Sequence, residues 1–251
     1  PLSIFQMIEG EKVASFYGYT NAGVWKSDEV GQSVTITNTD GSTKTDTYKN
    51  IYKVVPGQVK ILDLNNDGKL DIKDQGIIGC GQPSFNWGWN NTIKYRDFDI
   101  SLFLVGFHGF DIYNATDQSG YPSSLNGVAQ DVITPKRAFL NRWTSDNENT
   151  EIPGFVYVSS PLQGFTTQFV EKGDFVKIKN ITLGYNLNEN ICRKMGITGL
   201  RIYASVQNPV MFTEYSGLDP ESTLGSPLTS GVDWGNYPNG RNYLAGLSFS
   251  F

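Results

Sequence analysis

Apolar residues stand at every second position in five separate stretches of this chain, and a period of two is the signature of half-buried β-strands. Phe85, Trp87, Trp89, Ile93 and Tyr95 alternate with Ser84, Asn86, Gly88, Asn90, Thr92 and Lys94, with Asn91 alone out of phase. After the tight turn Arg96-Asp97, Phe98, Ile100, Leu102 and Leu104 alternate with Asp99 and Ser101, and the strand becomes apolar on both faces beyond Leu102. Ile181, Leu183, Tyr185 and Leu187 alternate with Thr182, Gly184 and Asn186, and Leu200, Ile202, Ala204 and Val206 with Arg201, Tyr203, Ser205 and Gln207. In the last stretch Tyr243, Ala245, Leu247, Phe249 and Phe251 share one face. Residues Pro1 to Ile8 read as a sixth strand, as if the chain opened in the middle of an element.

The connections obey a parity. Those at Arg96-Asp97 and Asn188–Gly199 are short, whereas those over about 9–83, 109–173 and 213–240 are long. Short turns at one end and long loops at the other mark an outer-membrane barrel, whose strands cross with about ten alternating residues and leave a weak hydropathy signal. A mean hydropathy of −0.31 is compatible with that. No apolar run approaches the ~20 residues of a membrane helix, and no secretory signal stands at Pro1. With 15 Phe, 13 Tyr, 5 Trp and 27 Gly, the chain is too aromatic for disorder. The fold class expected is all-β, an antiparallel transmembrane barrel portion with long extracellular loops. Within the long loops, Ser33–Thr37, Asp40-Gly41 and Thr43–Tyr48 read as a small hairpin, polar on both faces, standing in water. Pro135 to Trp143 has room for one short helix.

Composition narrows the function. Twenty basic against 25 acidic residues give a net charge of −5 with no Lys/Arg run, which argues against a nucleic-acid partner. His108 is the sole histidine, which removes Ser-His-Asp catalysis and most metal-hydrolase chemistry; the chain does not read as an enzyme. A lone histidine at a strand end reads as a packed or surface residue. Cys80 and Cys192 form no C-x-x-C motif; one disulfide between them is possible and nothing demands it.

One motif carries metal chemistry. Asp63-Leu64-Asn65-Asn66-Asp67-Gly68-Lys69-Leu70-Asp71-Ile72-Lys73-Asp74 fits the twelve-residue EF-hand loop. Asp63, Asn65, Asp67, Asp71 (through water) and Asp74 supply side-chain oxygens, Lys69 its backbone carbonyl, and Gly68 the sharp turn. The expected cofactor is a structural Ca²⁺; an Asp/Asn/Gly-rich surface turn is the plainer alternative. Trp143, Tyr215, Trp234 and Tyr237 sit in long loops, where exposed aromatics could stack on sugar rings or pack loop against loop.

At this point the residues resemble a family: the C-terminal part of SusC/RagA-type TonB-dependent outer-membrane transporters. The matching blocks are Ser15–Tyr19 with Gly23-Val24-Trp25, Asp63 to Gly79, Phe98 to Asn114, Gly173 to Tyr185, and Leu200 to Glu221 with Gly217-Leu218-Asp219-Pro220-Glu221, followed by a terminal Phe. One departure is Pro209 after Gln207-Asn208, where the family more often continues with an apolar residue; regular strand geometry is in question there. The resemblance implies that residues 1–251 are the C-terminal portion of a barrel of about 22 strands, with plug and TonB-contact segment before Pro1. It further implies an extracellular loop region over 9–83, a SusD-like surface lipoprotein as partner, TonB as energy source, outer-membrane lipid around the wall, a periplasmic C-terminus, and glycan or peptide oligomers as cargo. A secreted, calcium-stabilised β-sandwich that binds carbohydrate is the competing reading; it leaves the loop parity and the terminal Phe unexplained.

Overall fold

The computed structural model describes residues 3–38, 40–120, 136–156 and 164–251. Its dominant element is one five-stranded antiparallel sheet: β1 (Phe85–Tyr95), β2 (Phe98–His108), β3 (Phe175–Asn186), β4 (Gly199–Thr213) and β5 (Asn242–Ser250), in the spatial order β5-β4-β3-β2-β1. Each strand pairs with its neighbour in sequence, so the sheet is an up-and-down meander. Among the described residues five strands rather than six occupy it. Among residues 3–8 a single bridge, Phe5 to Phe16, is all the pairing there is, because that segment packs Ile4 and Phe5 into a loop core instead of joining the sheet.

The ladders carry the sequence alternation across the whole sheet. Tyr95, Phe98, Tyr185, Ile202 and Leu247 stand side by side, then Ile93, Ile100, Leu183, Ala204 and Ala245, then Asn91, Leu102, Ile181, Val206 and Tyr243. On the other face Thr92, Ser101, Thr182 and Ser205 make one polar row. Thr182 donates to Ser205 at 2.9 Å and Ser205 to Asn180 at 2.6 Å. Arg201 reaches Asp99 with two nitrogens, at 3.1 and 2.6 Å, across Gly184, where a Cβ would come within 2.5 Å of both side chains. The intervening strand must therefore carry glycine for β4 and β2 to be bridged.

Alternation breaks once. Between Ile178 and Asn180 the register shifts against both neighbours: Lys179 is an extra residue in β3, and Asn208-Pro209 are extra in β4. Asn208 takes φ +50, and Pro209 offers no N–H to a ladder, so the pair is suited to a bulge and to little else. Two extra residues leave the phase of β4 unchanged. The single extra residue in β3 inverts it. Above the bulge Val176 and Ile178 continue the apolar face, while Phe175 and Lys177 turn to the opposite one.

The long connections form a layer over the upper part of that opposite face. Ser15–Tyr19 pairs with Gln75–Cys80, and Asp111–Asn114 lies between Val170–Lys172 and Val232–Asp233. Ile4, Phe16, Tyr113, Phe169 and Val232 fill its centre. Phe110, Ile112, Phe175 and Tyr215 join it to Val105 and Phe107 of β2, which explains why that strand is apolar on both sides there. The hairpin Ser33–Thr37/Thr43–Thr47 forms as expected, though one of its residues does not stand in water: Ile36 is buried over Gly68 and Ile51. The short helix is Lys136–Asn141; Pro135 lies outside the described residues. Cys80 and Cys192 are both free thiols. No helix among the described residues is long and apolar enough to cross a membrane, which says nothing of strands.

The apolar face, Trp89, Ile93 and Leu247 included, is exposed, and among the described residues no second sheet covers it. This leaves the sandwich reading without its other half. An 11-residue strand at ~3.4 Å per residue and ~45° tilt rises about 25 Å, the height of the apolar band of an outer-membrane barrel. Phe85 and Trp87 stand at one end of that height and Tyr95 and Phe98 at the other. Leu247→Arg in the full-length protein is expected to cost ~2–4 kcal/mol and Ser248→Arg far less, measured by urea unfolding in lipid vesicles. Equal costs would contradict the face assignment.

Candidate functional site

Two places in the loop layer concentrate polar side chains. The first is the 63–74 turn. Gly68 takes φ +78 and its missing Cβ makes room for Ile36, so the sixth position is fixed both by conformation and by packing. Asp63 accepts from Gly68 N at 2.8 Å, Asp67 N at 3.3 Å and the Tyr52 hydroxyl at 2.9 Å. Asn65 accepts from Asp67 N, Asp67 from Lys69 N, and Asp71 from Lys73 N. Asp74 is fully buried and takes the N–H groups of Leu64 and Asp71, each at 2.9 Å, closing a capping box on the 3₁₀ turn Ile72–Asp74. Burial pushes the Asp74 carboxyl up, and the nearby Asp63 charge adds to this, against the backbone N–H groups of Asp71, Leu64 and Asn65. The six residues expected around an ion are thus gathered into one turn, with each carboxylate engaged by backbone N–H groups. Among the described residues no three His, Cys, Asp or Glu side chains converge as a metal cluster.

The second place joins two of the sequence blocks. Lys177, turned inward by the bulge, is 3% exposed and meets Asp219, also 3% exposed, at 3.2 Å and Glu221 at 2.7 Å. Lys179 binds the other oxygen of Glu221 at 2.5 Å. Asn239 adds its backbone and side-chain N–H groups to Asp219, both at 3.0 Å. Burial alone would raise the Asp219 carboxyl; Asn239 and the Lys177 ammonium more than offset it and hold it below the usual range. Sequence reading missed this network. The signal was a lysine pair in an otherwise apolar strand start and an Asp-Pro-Glu in a loop, which no spacing rule connects.

The four loop aromatics separate. Tyr215 is 5% exposed, packed with Phe110, Ile112 and Phe175, and donates its hydroxyl to Asp233 at 2.7 Å; it is part of the core and presents no surface. Its burial and the Asp233 charge push the phenol well up. Trp143 is half-buried over Gly57, where a Cβ would come within 2.5 Å of the indole. Trp234 and Tyr237 are open, at 66% and 91% exposure. His108 ends β2, stacks on Phe85 at 5.0 Å and accepts from the Trp87 indole N–H at 3.1 Å, a packed residue of the upper aromatic end.

The fold defined by this sheet and its loop layer is found in transporter barrels. It superposes on the RagAB peptide importer in its open-open state with a TM-score of 0.64 and 21% identity, over 98% of this chain and 24% of that one. No protein-family model matches the chain. TonB-dependent receptor P3 of Formosa agariphila is 32% identical over 249 residues, 97% of this chain and 22% of the receptor. The TonB-dependent receptor SusC of Bacteroides thetaiotaomicron is 27% identical over 198 residues, 78% of this chain and 18% of its own length. The resemblance read from the sequence therefore holds: TonB-dependent receptors, SusC among them, are homologues of this chain over most of its length. The chain spans about a fifth to a quarter of the length of these relatives.

The two buried carboxylates respond oppositely to acid. Asp219 is depressed, so its stabilisation is present above the ordinary carboxylate pKa and lost as pH falls through its lower folded value. Asp74 is raised, so its turn is most stable below the ordinary pKa and loses stability as pH rises through its higher folded value. In calcium-free buffer, hydrogen exchange corrected for intrinsic rates should show residues 214–241 loosening and residues 63–74 tightening as pH is lowered through the carboxylate range. Parallel behaviour of the two segments would contradict this assignment. Lys177→Ala, which strands buried Asp219 without its partner, should cost ~3–5 kcal/mol in denaturant unfolding.

Proposed function

We propose that this chain is part of the wall of an outer-membrane, TonB-dependent importer of oligomeric nutrients, working with a SusD-like surface lipoprotein. The observation that carries the reading is the five-stranded meander with one apolar face about 25 Å high, an opposite face that is polar in its lower part and covered by the loop layer in its upper part, and short turns at the end away from that layer. Likeness to TonB-dependent receptors and to a peptide importer supports it. Its chemistry is binding and gated passage, with no bond made or broken. The cargo is a glycan or peptide oligomer, and TonB engages a part of the protein outside this chain.

In this reading the apolar face meets lipid, and the polar row Thr92, Ser101, Thr182 and Ser205 with the Asp99–Arg201 pair lines the lumen. The C-terminal end of β5 is periplasmic, and the loops 109–174 and 214–241 with residues 9–83 are extracellular. Ser226 is exposed in the second of these loops; Ser123 lies outside the described residues. A cysteine at position 226 of the full-length protein should react with an impermeant maleimide on intact cells. Reaction only after the outer membrane is disrupted would reverse the topology.

The 63–74 turn is read as a structural Ca²⁺ loop on this outer surface. Asp63, Asn65, Asp67, Asp71 and Asp74 would supply side-chain oxygens and Lys69 its carbonyl. The support is the full set of donors in register, the Gly68 turn already wound, and a buried Asp74 whose negative charge is costly where it stands. Affinity on the order of 10⁻⁴–10⁻³ M suffices outside a cell. Millimolar Ca²⁺ should raise hydrogen-exchange protection over residues 63–79 of the full-length protein, and Asp67→Ala should remove the effect while the sheet stays intact. Protection indifferent to Ca²⁺ would leave the plain surface turn.

A further inference from the structure

A pocket of about 450 Å³ lies at the upper end of the apolar face. It sits over the ends of β2, β3 and β4, the three central strands of the sheet, so its walls do not depend on any strand beyond the edges. Val176 stands in register with Phe212 on one side and with Gly106 on the other. Phe212 is exposed, and the Trp87 indole lies across Gly106 in the place a Cβ would take. A valine between two aromatic side chains leaves the depression. His108, stacked on Phe85 and Trp87, walls it on the β1 side.

Lys172, Asp174 and Glu214 form the polar end of this pocket. Asp174 takes the Gly109 N–H at 2.8 Å, and its second oxygen lies 3.5 Å from His108 Nδ1. His108 is itself occupied, since its Nε2 accepts from Trp87. Lys172 spends one N–H on Asp111 at 2.7 Å and keeps two. Glu214 has no hydrogen bond or ion pair among the described residues, and both it and Lys172 are exposed. We infer that the pocket holds the headgroup and first acyl carbons of a membrane lipid whose headgroup carries a phosphate and a primary ammonium; this rests on the reading that the apolar face meets lipid. Lipid packed against Phe212 and Val176 takes part of the water from Lys172 and Glu214, and a partly desolvated charge needs a counter-charge. The two remaining Lys172 donors match phosphate oxygens. Glu214 and the second Asp174 oxygen only accept, and they match the three N–H groups of an ammonium. A purely anionic headgroup would set its charge beside two carboxylates, and a quaternary ammonium has no N–H to donate. Phe212 and Val176 give the acyl carbons apolar contact.

The test is native mass spectrometry of the full-length protein, released from detergent with equal amounts of phosphatidylethanolamine, phosphatidylcholine and phosphatidylglycerol. Phosphatidylethanolamine should be retained roughly tenfold over each of the other two, the worth of one hydrogen bond to a charged group. Glu214→Gln, a surface change, should bring phosphatidylethanolamine and phosphatidylcholine to parity. Val176→Trp, which fills the depression, should abolish the selective retention with the melting temperature unchanged. The inference is overturned if the wild type retains phosphatidylglycerol or phosphatidylcholine as well as phosphatidylethanolamine, or if either variant keeps the wild-type preference. Spin labels at positions 93 and 183, on the same face but away from the pocket, separate the two readings. Collisions favouring oxygen there, without a lipid preference, sink the pocket and spare the wall. Collisions favouring a polar nickel chelate, with the preference and its dependence on Glu214 intact, sink the wall and spare the headgroup site.

Discussion

A single inversion of strand phase governs this structure. Below Lys179 the odd-numbered residues of β3, Ile181, Leu183 and Tyr185, lie on the apolar face; above it the even-numbered Val176 and Ile178 do. Without the extra residue Phe175 and Lys177 would point outward, one into no core and the other, on the proposed reading, toward lipid, where an ammonium costs up to ~2–4 kcal/mol depending on depth. With it, Phe175 enters the core that joins sheet to loops, and Lys177 becomes the cation between Asp219 and Glu221. Asparagine and proline chemistry in β4 makes the inversion possible. Asn208 accepts the left-handed turn, and Pro209 needs no ladder partner.

From that inversion the loop layer takes its position. The buried pair fixes residues 219–221 against the sheet, Asn239 brings the following segment to the same point, and Asp233 holds both Tyr215 and the turn that carries Trp234. A buried ion pair is a poor source of net stability but a strong specifier of arrangement, since any alternative leaves a charge unpartnered. The loop layer is thus located by electrostatics and filled by Phe16, Tyr113, Phe110 and Phe175.

Much of this was legible in the sequence. Alternation in the segments 85–95, 98–104, 181–187, 200–206 and 243–251 gave strands, faces and pairing order, because side-chain period alone decides them when one face is apolar. Pro209 signalled the irregularity, although not that it would invert β3 and spare β4; that depends on how many residues each strand adds, which only pairing reveals. Residues 3–8 misled, since a short apolar run fits a strand and a loop core equally. Tyr215 and Trp234 looked alike as loop aromatics, and only the fold separates a phenol that closes a core from an indole left in the open. Lys177 with Asp219 could not be foreseen, because 42 residues separate them and no local rule spans that distance.

On the proposed reading β3 is a membrane-wall strand, and its phase reverses at Lys179. Spin labels placed singly at positions 174–187 of the full-length protein in lipid vesicles, read by collision with oxygen and with a polar nickel chelate, test it directly. The account predicts oxygen-favoured maxima at 181, 183 and 185 and again at 176 and 178, with the period broken once between 178 and 181. An unbroken two-residue period through 179, or no alternation at all, would contradict it.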